Sequence, residues 1–428
     1  MKKLFCLLLI TFLLASYVPV AGALEGITES RISTDTADQK YPAIYKDKIV
    51  YEDWRNVNSD IYLYDLSTNT EKQLTTDTND QNIPAIYGDK VVYGNWRNGN
   101  ADIYIYNLST GTEKQITTDT ADQWYPAIYG DKIVYTDERN GNTDIYMYDL
   151  QANTEKQITT STAYQGSPAV YGDKIVWEDD RNGNYDIYLF DLATNTERQI
   201  TSNGDDQEAP AISGNKIVYG TSQNVDWDIY LFDLETNAEK RITTDSSYQG
   251  YPAISGSRII YEDARNGNID TYLYDLSTGT EAQVTDNSTN QYDPVIYGDK
   301  AVWQDTREGD WNIYLADLPG ESGDAEPGTD EAGGANPGQT VTSPPPAAPA
   351  PPAVNNQGLK KALNKQIRNL NKKIAKLNKQ LKSFKKKLKK TAGKRRQAIT
   401  KKIKKINSRI KTLKKKVAKL KMQVKGLK

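Results

Sequence analysis

The feature that most limits what this chain can fold into is a repeat of fixed period. The proline of a recurring Pro-Ala-Ile unit stands at Pro42, Pro84, Pro126, Pro168, Pro210, Pro252 and Pro294, so every interval is 42 residues and no unit carries an insertion. Such a period marks repeated structural units, none of which buries its apolar face alone. Each unit reads as four short strands. In the third these are Pro-Ala-Ile-Tyr, Lys132 to Tyr135, Asp144 to Tyr148 and Glu155 to Thr159. β-branched and aromatic residues fill the strands, and Gly, Asn and Asp fill the gaps. Four strands in this length is the size of a propeller blade.

The ends of the repeat predict how the ring closes. The seventh unit stops after its third strand, Asn312 to Leu318, yet Thr28-Glu29-Ser30-Arg31-Ile32-Ser33 repeats the fourth-strand text Ala238-Glu239-Lys240-Arg241-Ile242-Thr243. The N-terminal segment is therefore expected to supply the outer strand of the last blade. That leaves no blade one strand short and keeps exposed edges short. We read a mainly β, seven-bladed β-propeller within residues 24–318. An open β-solenoid is the competing structure, and the strand divided between the two ends argues against it.

The repeat text Pro-Ala-Ile-Tyr-Gly-Asp-Lys-Ile-Val-Tyr, then Arg-Asn-Gly-Asn-x-Asp-Ile-Tyr-x-Tyr-Asp-Leu, then Glu-Lys-Gln-Ile-Thr resembles the TolB-type (WD40-like) β-propeller repeat over about two thirds of the chain. The family's Ser-Pro-Asp-Gly-Lys turn is Tyr-Gly-Asp-Lys here, and the α/β domain that precedes the propeller in TolB has no counterpart. The wording is also similar to repeats in surface proteins of methanogenic archaea. The resemblance implies a binding platform in the cell envelope, without implying the Tol complex.

In this strand order one face of the disc carries the repetitive Tyr-Gly-Asp-Lys and Leu-Ser-Thr-Gly-Thr turns, with glycines such as Gly88 and Gly130 where a tight turn needs positive φ. The opposite face carries the second hairpin and the connection between blades, where the text changes from blade to blade. Trp54 and Trp96 occupy a hairpin position held elsewhere by Glu138, Asp180, Ser222, Ala264 and Thr306. Trp124 and Tyr292 stand two before the blade proline, where other blades have Lys40, Asn82, Gly166, Glu208 and Gly250. Trp227 and Trp311 precede the third strand. These six aromatics are the candidate ligand-binding residues, since rings beside Asp, Asn and Gln suit a glycan or a protein partner. Their ordinary role would be to cover the blade tops. Gln39, Gln81, Gln123, Gln165, Gln207, Gln249 and Gln291 recur three before each proline and are expected near the channel mouth. There they would bind an ion or a glycan or, in the ordinary case, the neighbouring blade's backbone.

Several chemistries are excluded. The 428 residues include no histidine and one cysteine, Cys6. Imidazole and thiol catalysis and zinc sites of that kind are therefore absent from the propeller. Asp-x-Arg-Asn-Gly-Asn-x-Asp, as in Asp137 to Asp144, lacks the ligand set of a calcium loop and reads as an Asn-Gly hairpin with an Arg–Asp pair. Carboxylates abound, but no pair stands apart from its copies, so no glycosidase pair is assigned. No metal or cofactor is expected. Asn107-Leu-Ser and Asn287-Ser-Thr are glycan acceptor sequons of low specificity.

Lys2 and Lys3, an apolar run from Leu4 to Val18 and the small-x-small stretch Ala21-Gly22-Ala23 read as a signal peptide over 1–23, which places the protein outside the cytoplasm. The net charge of −2 hides an asymmetry. Residues 359–428 hold 30 Lys/Arg and no Asp/Glu, which leaves 22 basic against 51 acidic residues over 24–318, a net charge of −29. Between them, 319–358 is a linker rich in Gly, Pro, Ala and acids, with no apolar periodicity. After it, apolar residues at alternating steps of three and four (Leu363 to Leu388, then Ile399 to Leu427) predict a Lys-rich helical hairpin, or one long coiled coil, capable of self-association. Lys385, Lys386, Lys387, Lys394, Arg395, Arg396, Lys414, Lys415 and Lys416 are its candidate polyanion-binding residues. They fit an acidic wall polymer or an anionic membrane surface, the protein's own acidic propeller, or, less naturally given export, nucleic acid. The expectation is a secreted, non-catalytic adapter whose propeller binds a glycan or protein and whose tail attaches to the envelope. A carboxylate-dependent polysaccharide-acting enzyme and a structural surface-layer component are the alternatives.

Overall fold

The computed structural model describes residues 27–222 and 226–319, with nine isolated positions of the tail (378, 379, 381, 382, 385, 386, 400, 403 and 414). The expected leader, the linker beyond 319 and the helical hairpin as an element lie outside the described residues. The chain divides into two units, Met1–Glu331 and Ala332–Lys428, and the first holds the propeller.

That unit is seven four-stranded antiparallel sheets. Blade 3 serves for all: Gln123–Tyr129, Lys132–Asp137, Asp144–Asp149 and Thr154–Gln157 pair in order as a meander. Gly130 (φ 60°) makes the first turn and Gly141 (φ 84°) the second, conformations open to glycine at little cost. The first strands of blades 1 to 7 begin at Gln39, Gln81, Gln123, Gln165, Gln207, Gln249 and Gln291.

Each sheet buries both faces, one against the blade before it and one against the blade after. Val134, Ile145, Met147 and Ile158 of blade 3 meet Val170, Ile175, Trp177, Tyr188 and Phe190 of blade 4 in one apolar cluster. Burial of each such side chain stabilises the fold by about 1.5–3 kcal/mol. This explains why the second strands are apolar with little alternation, as in Ile133, Val134 and Tyr135, all fully buried.

The ring closes as the sequence predicts. Glu29–Arg31 pairs antiparallel with the third strand of blade 7, in the register Glu29↔Ala316, Ser30↔Leu315 and Arg31↔Tyr314. Ile32 joins Ile49, Tyr51 and Tyr62 of blade 1 and Val302, Ile313 and Leu315 of blade 7 in the closing cluster.

The same segment completes a polar clamp found in most blades. In blade 3, Arg139 donates to Asp137 (2.6 Å) and Glu155 (2.6 Å) and lies over the Tyr146 ring, while Tyr135 donates to Glu155. Asn140 donates to Asp144 and to the Tyr146 hydroxyl, and Asn142 donates to the carbonyls of Ser161 and Ala163 in the next connection. The Arg-Asn-Gly-Asn text is thus consumed by contacts within the blade and its outgoing connection. In blade 7 Arg307 donates to Asp305 and, in place of the fourth-strand Glu, to Glu29, and the Ser33 hydroxyl accepts the Ile313 amide as the Thr159 hydroxyl accepts that of Ile145.

Blade 1 departs from the pattern at Val57, which stands where five of the other six hairpins have glycine (blade 5 has Val225). It keeps φ 82°, at 96% exposure. A β-branched residue is strained there and no packing offsets it. Two outcomes are expected in thermal unfolding. Glu29→Ala lowers stability by about 1.5–3 kcal/mol, because Arg307 loses a charged partner. Val57→Gly raises it by about 1 kcal/mol, through relief of the left-handed strain.

Candidate functional site

The two ends of the propeller differ in how much of their sequence structure consumes. On the repetitive face, the last residues of the first strands form an arc of tilted rings. Tyr297, Tyr45, Tyr87, Tyr129 and Tyr171 stand 4.6–5.0 Å apart in sequence around the ring. The arc stops where blades 5 and 6 carry Ser213 and Ser255, whose hydroxyls accept the Gly256 and Gly298 amides of the following blade. That face is therefore less uniform than its turn text implies. A recess of about 450 Å³ lies beside the arc, between blades 1 and 2, lined by Tyr45, Lys46, Lys48, Gly88, Asp89, Leu108 and Ser109.

At the other end of every first strand sits a β-bulge, for example between Trp124 and Ala127. The residue before each blade proline lies within it, in left-handed backbone: Tyr41, Ile83, Tyr125, Ser167, Ala209, Tyr251 and Asp293, all at φ 48–53°. Proline disfavours helical backbone in the residue before it, so the sheet must hold these conformations. Four of the bulge amides are held by a side chain from the preceding blade. Tyr41 donates to Gln304 (2.8 Å), Ile83 to Glu52 (2.7 Å), Ala209 to Glu178 (3.1 Å) and Asp293 to Glu262 (3.0 Å).

The bulge turns its side chain out of the ladder. Tyr41, Tyr125 and Tyr251 are 45%, 53% and 55% exposed, among the most exposed large apolar residues of the propeller. They stand on the innermost strands, so they surround the channel mouth on the variable face. Carboxylates from several blades lie close behind. Burial pushes the Glu262 carboxyl up to about 8, aided by the charge of Asp293 and opposed by the Asp293 amide and a hydrogen bond with Tyr248. Burial likewise raises Glu52 to about 7, against the Ile83 amide, Trp54 and Lys40. Asp293 rises to about 6 against a hydrogen bond from Gln304, and Glu178 is also raised by burial. The Tyr251 phenol is raised by burial and by the charges of Glu262, Asp293, Glu208 and Glu178, so four blades converge on it.

The expected aromatics fall into separate groups. Trp96 of blade 2 and Trp124 of blade 3 meet edge to face at 4.7 Å. Tyr292 and Trp311 of blade 7 pack at 5.7 Å, with Lys40 of blade 1 over the Trp311 ring. Trp227 packs on Gly220. Trp54 stands apart, 39% exposed. In blades 4 and 6, Tyr164 and Tyr248 lie where a Cβ on Gly166 or Gly250 would be. A ring from one of two sequence positions thus fills the same place, which makes most of these aromatics partly structural.

The seven glutamines do not reach open space. All are fully buried. Six donate to the carbonyl two residues earlier, as Gln123 does to Ala121 (2.6 Å) and Gln291 to Thr289 (2.6 Å). The bond expected to the neighbouring blade is local instead, because a buried amide takes the nearest available carbonyl. Of the basic tail residues, Lys385, Lys386 and Lys414 are exposed, and the other six lie outside the described residues.

Residues missed from the sequence are Tyr41, Tyr125 and Tyr251. Their signal was the position directly before each proline, which reads Tyr, Ile, Tyr, Ser, Ala, Tyr, Asp through otherwise constant text.

Residues 42–226 match the family model described as TolB beta propeller domain. Over those residues the propeller is similar to that domain. No curated protein matches the chain. Among solved structures, the oligogalacturonate lyase from Vibrio parahaemolyticus is 16% identical, with a TM-score of 0.55 over 70% of this chain and 96% of that one. An oligogalacturonate lyase in complex with manganese is 18% identical, at 0.53 over 70% and 95%. The β-propeller domain of the Trilobed protease from Pyrococcus furiosus, described as having an open velcro topology, is 14% identical, at 0.55 over 67% and 95%. At these identities the likeness is one of fold. Among the described residues no three carboxylates are grouped as a metal-ligand set.

The raised carboxyls make stability depend on pH. Each binds its proton more tightly folded than unfolded, so its contribution is complete below the unfolded carboxylate range. It is lost as pH rises through the folded values, which end at about 8 for Glu262. The melting temperature is expected to fall between about pH 5 and about pH 8, and Glu262→Gln to flatten that fall. An unchanged slope in the variant would show that Glu262 ionises freely.

Proposed function

We propose that this TolB-type propeller is an exported, non-catalytic binding platform whose ligand sits at the mouth ringed by Tyr41, Tyr125 and Tyr251. One observation carries the reading. The repeated polar text is used up in hydrogen bonds inside the blades, whereas the exposed, blade-specific rings gather on one mouth. Half-exposed rings beside carboxylates suit a glycan or a protein surface, through apolar contact and hydrogen bonding together. A net charge of −29 over 24–318 opposes polyanionic ligands, oligogalacturonate included.

The signal-like leader supports a place outside the cytoplasm, and the +30 segment over 359–428 supports attachment to an acidic envelope polymer or an anionic membrane surface. Retention on cells is then electrostatic and is expected to fall steeply as salt rises, since exposed charges are screened within about 8 Å at physiological ionic strength. Release measured across a salt series checks this, and salt-insensitive retention would reject it.

A second reading has one observation in its favour. Glu262, almost fully buried, and Asp293 lie behind the mouth residues with carboxyls raised to about 8 and about 6, a separation that acid–base chemistry on a polysaccharide would use. The two readings separate on glycan and peptide arrays probed with the full chain and with a Trp54→Ala, Tyr125→Ala, Tyr251→Ala variant. The platform reading expects retained, uncleaved ligand, and signal about tenfold lower in the variant. Turnover of a glycan, abolished by Glu262→Gln, would replace it with the enzymatic reading.

A further inference from the structure

The chemistry of the mouth narrows its ligand further, resting on the reading that the mouth is the binding site. We propose that Tyr41, Tyr125 and Tyr251 form a cage for an ammonium group, and that the ligand is a partner polypeptide presenting a lysine side chain.

The cage follows from placement. The three tyrosines belong to blades 1, 3 and 6, so they approach the axis at intervals of two, three and two blades around a ring of seven. Their rings are half exposed, and the Tyr41 phenol senses that of Tyr125 from two blades away. Glu52, Glu178 and Glu262, on blades 1, 4 and 6, accept the bulge amides of the following blades, and the carboxylate of Asp293, the bulge residue of blade 7, accepts from Gln304. Lys40, the basic side chain closest in chain to this group, is bound to Asp38. Aromatic faces attract a cation through the ring quadrupole, and the carboxyls add negative charge to this as they ionise through about 6 to about 8.

The form of the cation follows from the carboxylates. They are dispersed over four blades and do not form a planar pair, so they match a compact ammonium better than the flat fork of a guanidinium. A neutral sugar would leave this negative charge unused, and an acidic one would meet repulsion.

Delivery by a polypeptide follows from exposure. Sites for free small ligands enclose about 70–90% of the ligand surface, which three half-exposed rings on an open rim do not. A larger partner would gain its remaining contact on Trp54, on the Trp96–Trp124 pair and on the Tyr292–Trp311 pair outside the cage.

The test titrates the full chain with acetylated pentalysine amide, pentaglutamine amide and spermidine, by calorimetry. The key variant is Tyr41→Ala, Tyr125→Ala, Tyr251→Ala. It changes no charge, so general attraction to the acidic propeller is kept. Its fold is safeguarded by precedent, because blade 5 already places Ala209 at this position in the same conformation. A Tyr→Phe triple variant keeps the rings. Pentalysine is expected to bind, to lose about tenfold in the Ala variant and to keep its affinity in the Phe variant. Binding should also strengthen between about pH 5.5 and about pH 8.5, as the mouth carboxyls ionise. The groups that set this response are Glu262 with Asp293, Tyr248 and Tyr251; Glu52 with Lys40, Asp80 and Tyr41; and Asp293 with Gln304.

Equal pentalysine binding by the Ala variant would overturn the cage. Equal binding of pentaglutamine would overturn the role of charge, and spermidine binding as tightly as pentalysine would overturn the polypeptide source. Failure of all three probes, with ring-dependent binding of a glycan on the array, would sink this inference and leave the platform standing. Failure on the array as well would remove both.

Discussion

The whole propeller depends on burying both faces of every sheet, because no four-stranded blade has a core of its own. Each blade is stabilised only by its two neighbours, so an open ring would expose one face at each end. The N-terminal strand removes that exposure. It does so by reproducing, with Glu29, Ile32 and Ser33, the roles that Glu155, Ile158 and Thr159 play in blade 3. The closure is therefore an ordinary blade assembled from two distant pieces of chain. Its apolar packing, Arg–carboxylate pair and amide–hydroxyl bond follow blade 3, but Trp303 gives Glu29 no hydrogen bond such as Tyr135 gives Glu155.

Packing so regular leaves little for recognition, and the bulge before each proline is where the structure becomes individual. Seven residues are held in left-handed backbone by the pairing on either side of them and, at four seams, by a Gln or Glu of the preceding blade. The bulge releases one side chain per blade from the ladder. Since that side chain is free of the pleat, it can be Tyr, Ala or Asp without disturbing the sheet. The same geometry takes the holding Glu52 and Glu262, and the held Asp293, out of water, which raises all three into or near the neutral range. Seam and mouth thus share groups, so the charge of the mouth and the stability of the ring respond to pH together.

The fold was legible because every relevant signal repeats. Proline spacing gave the blade count, strand text gave the meander, and the split fourth strand gave the closure. The site was only partly legible. The variable face was identifiable from blade-to-blade differences, but exposure was not. Trp96 packs on Trp124 and Tyr292 on Trp311, contacts between positions far apart in the text, while Tyr164 and Tyr248 fold back over glycines two residues on. The glutamines bond backbone, as their ordinary reading expects, but the carbonyl they take is the one two residues earlier, which burial and not recurrence decides.

The sequence by itself determined the number of blades, the order of strands, the piece that closes the ring and the separation of an acidic body from a basic tail. These follow from periodicity and composition, which need no knowledge of contacts. The tertiary structure alone decided that the residue before each proline leaves the ladder, and that Tyr41, Tyr125 and Tyr251 reach one mouth. It also decided that carboxyls from four blades are drawn out of water beside them. Those outcomes depend on backbone conformation and on groups converging across blades, and both exist only once the ring has closed.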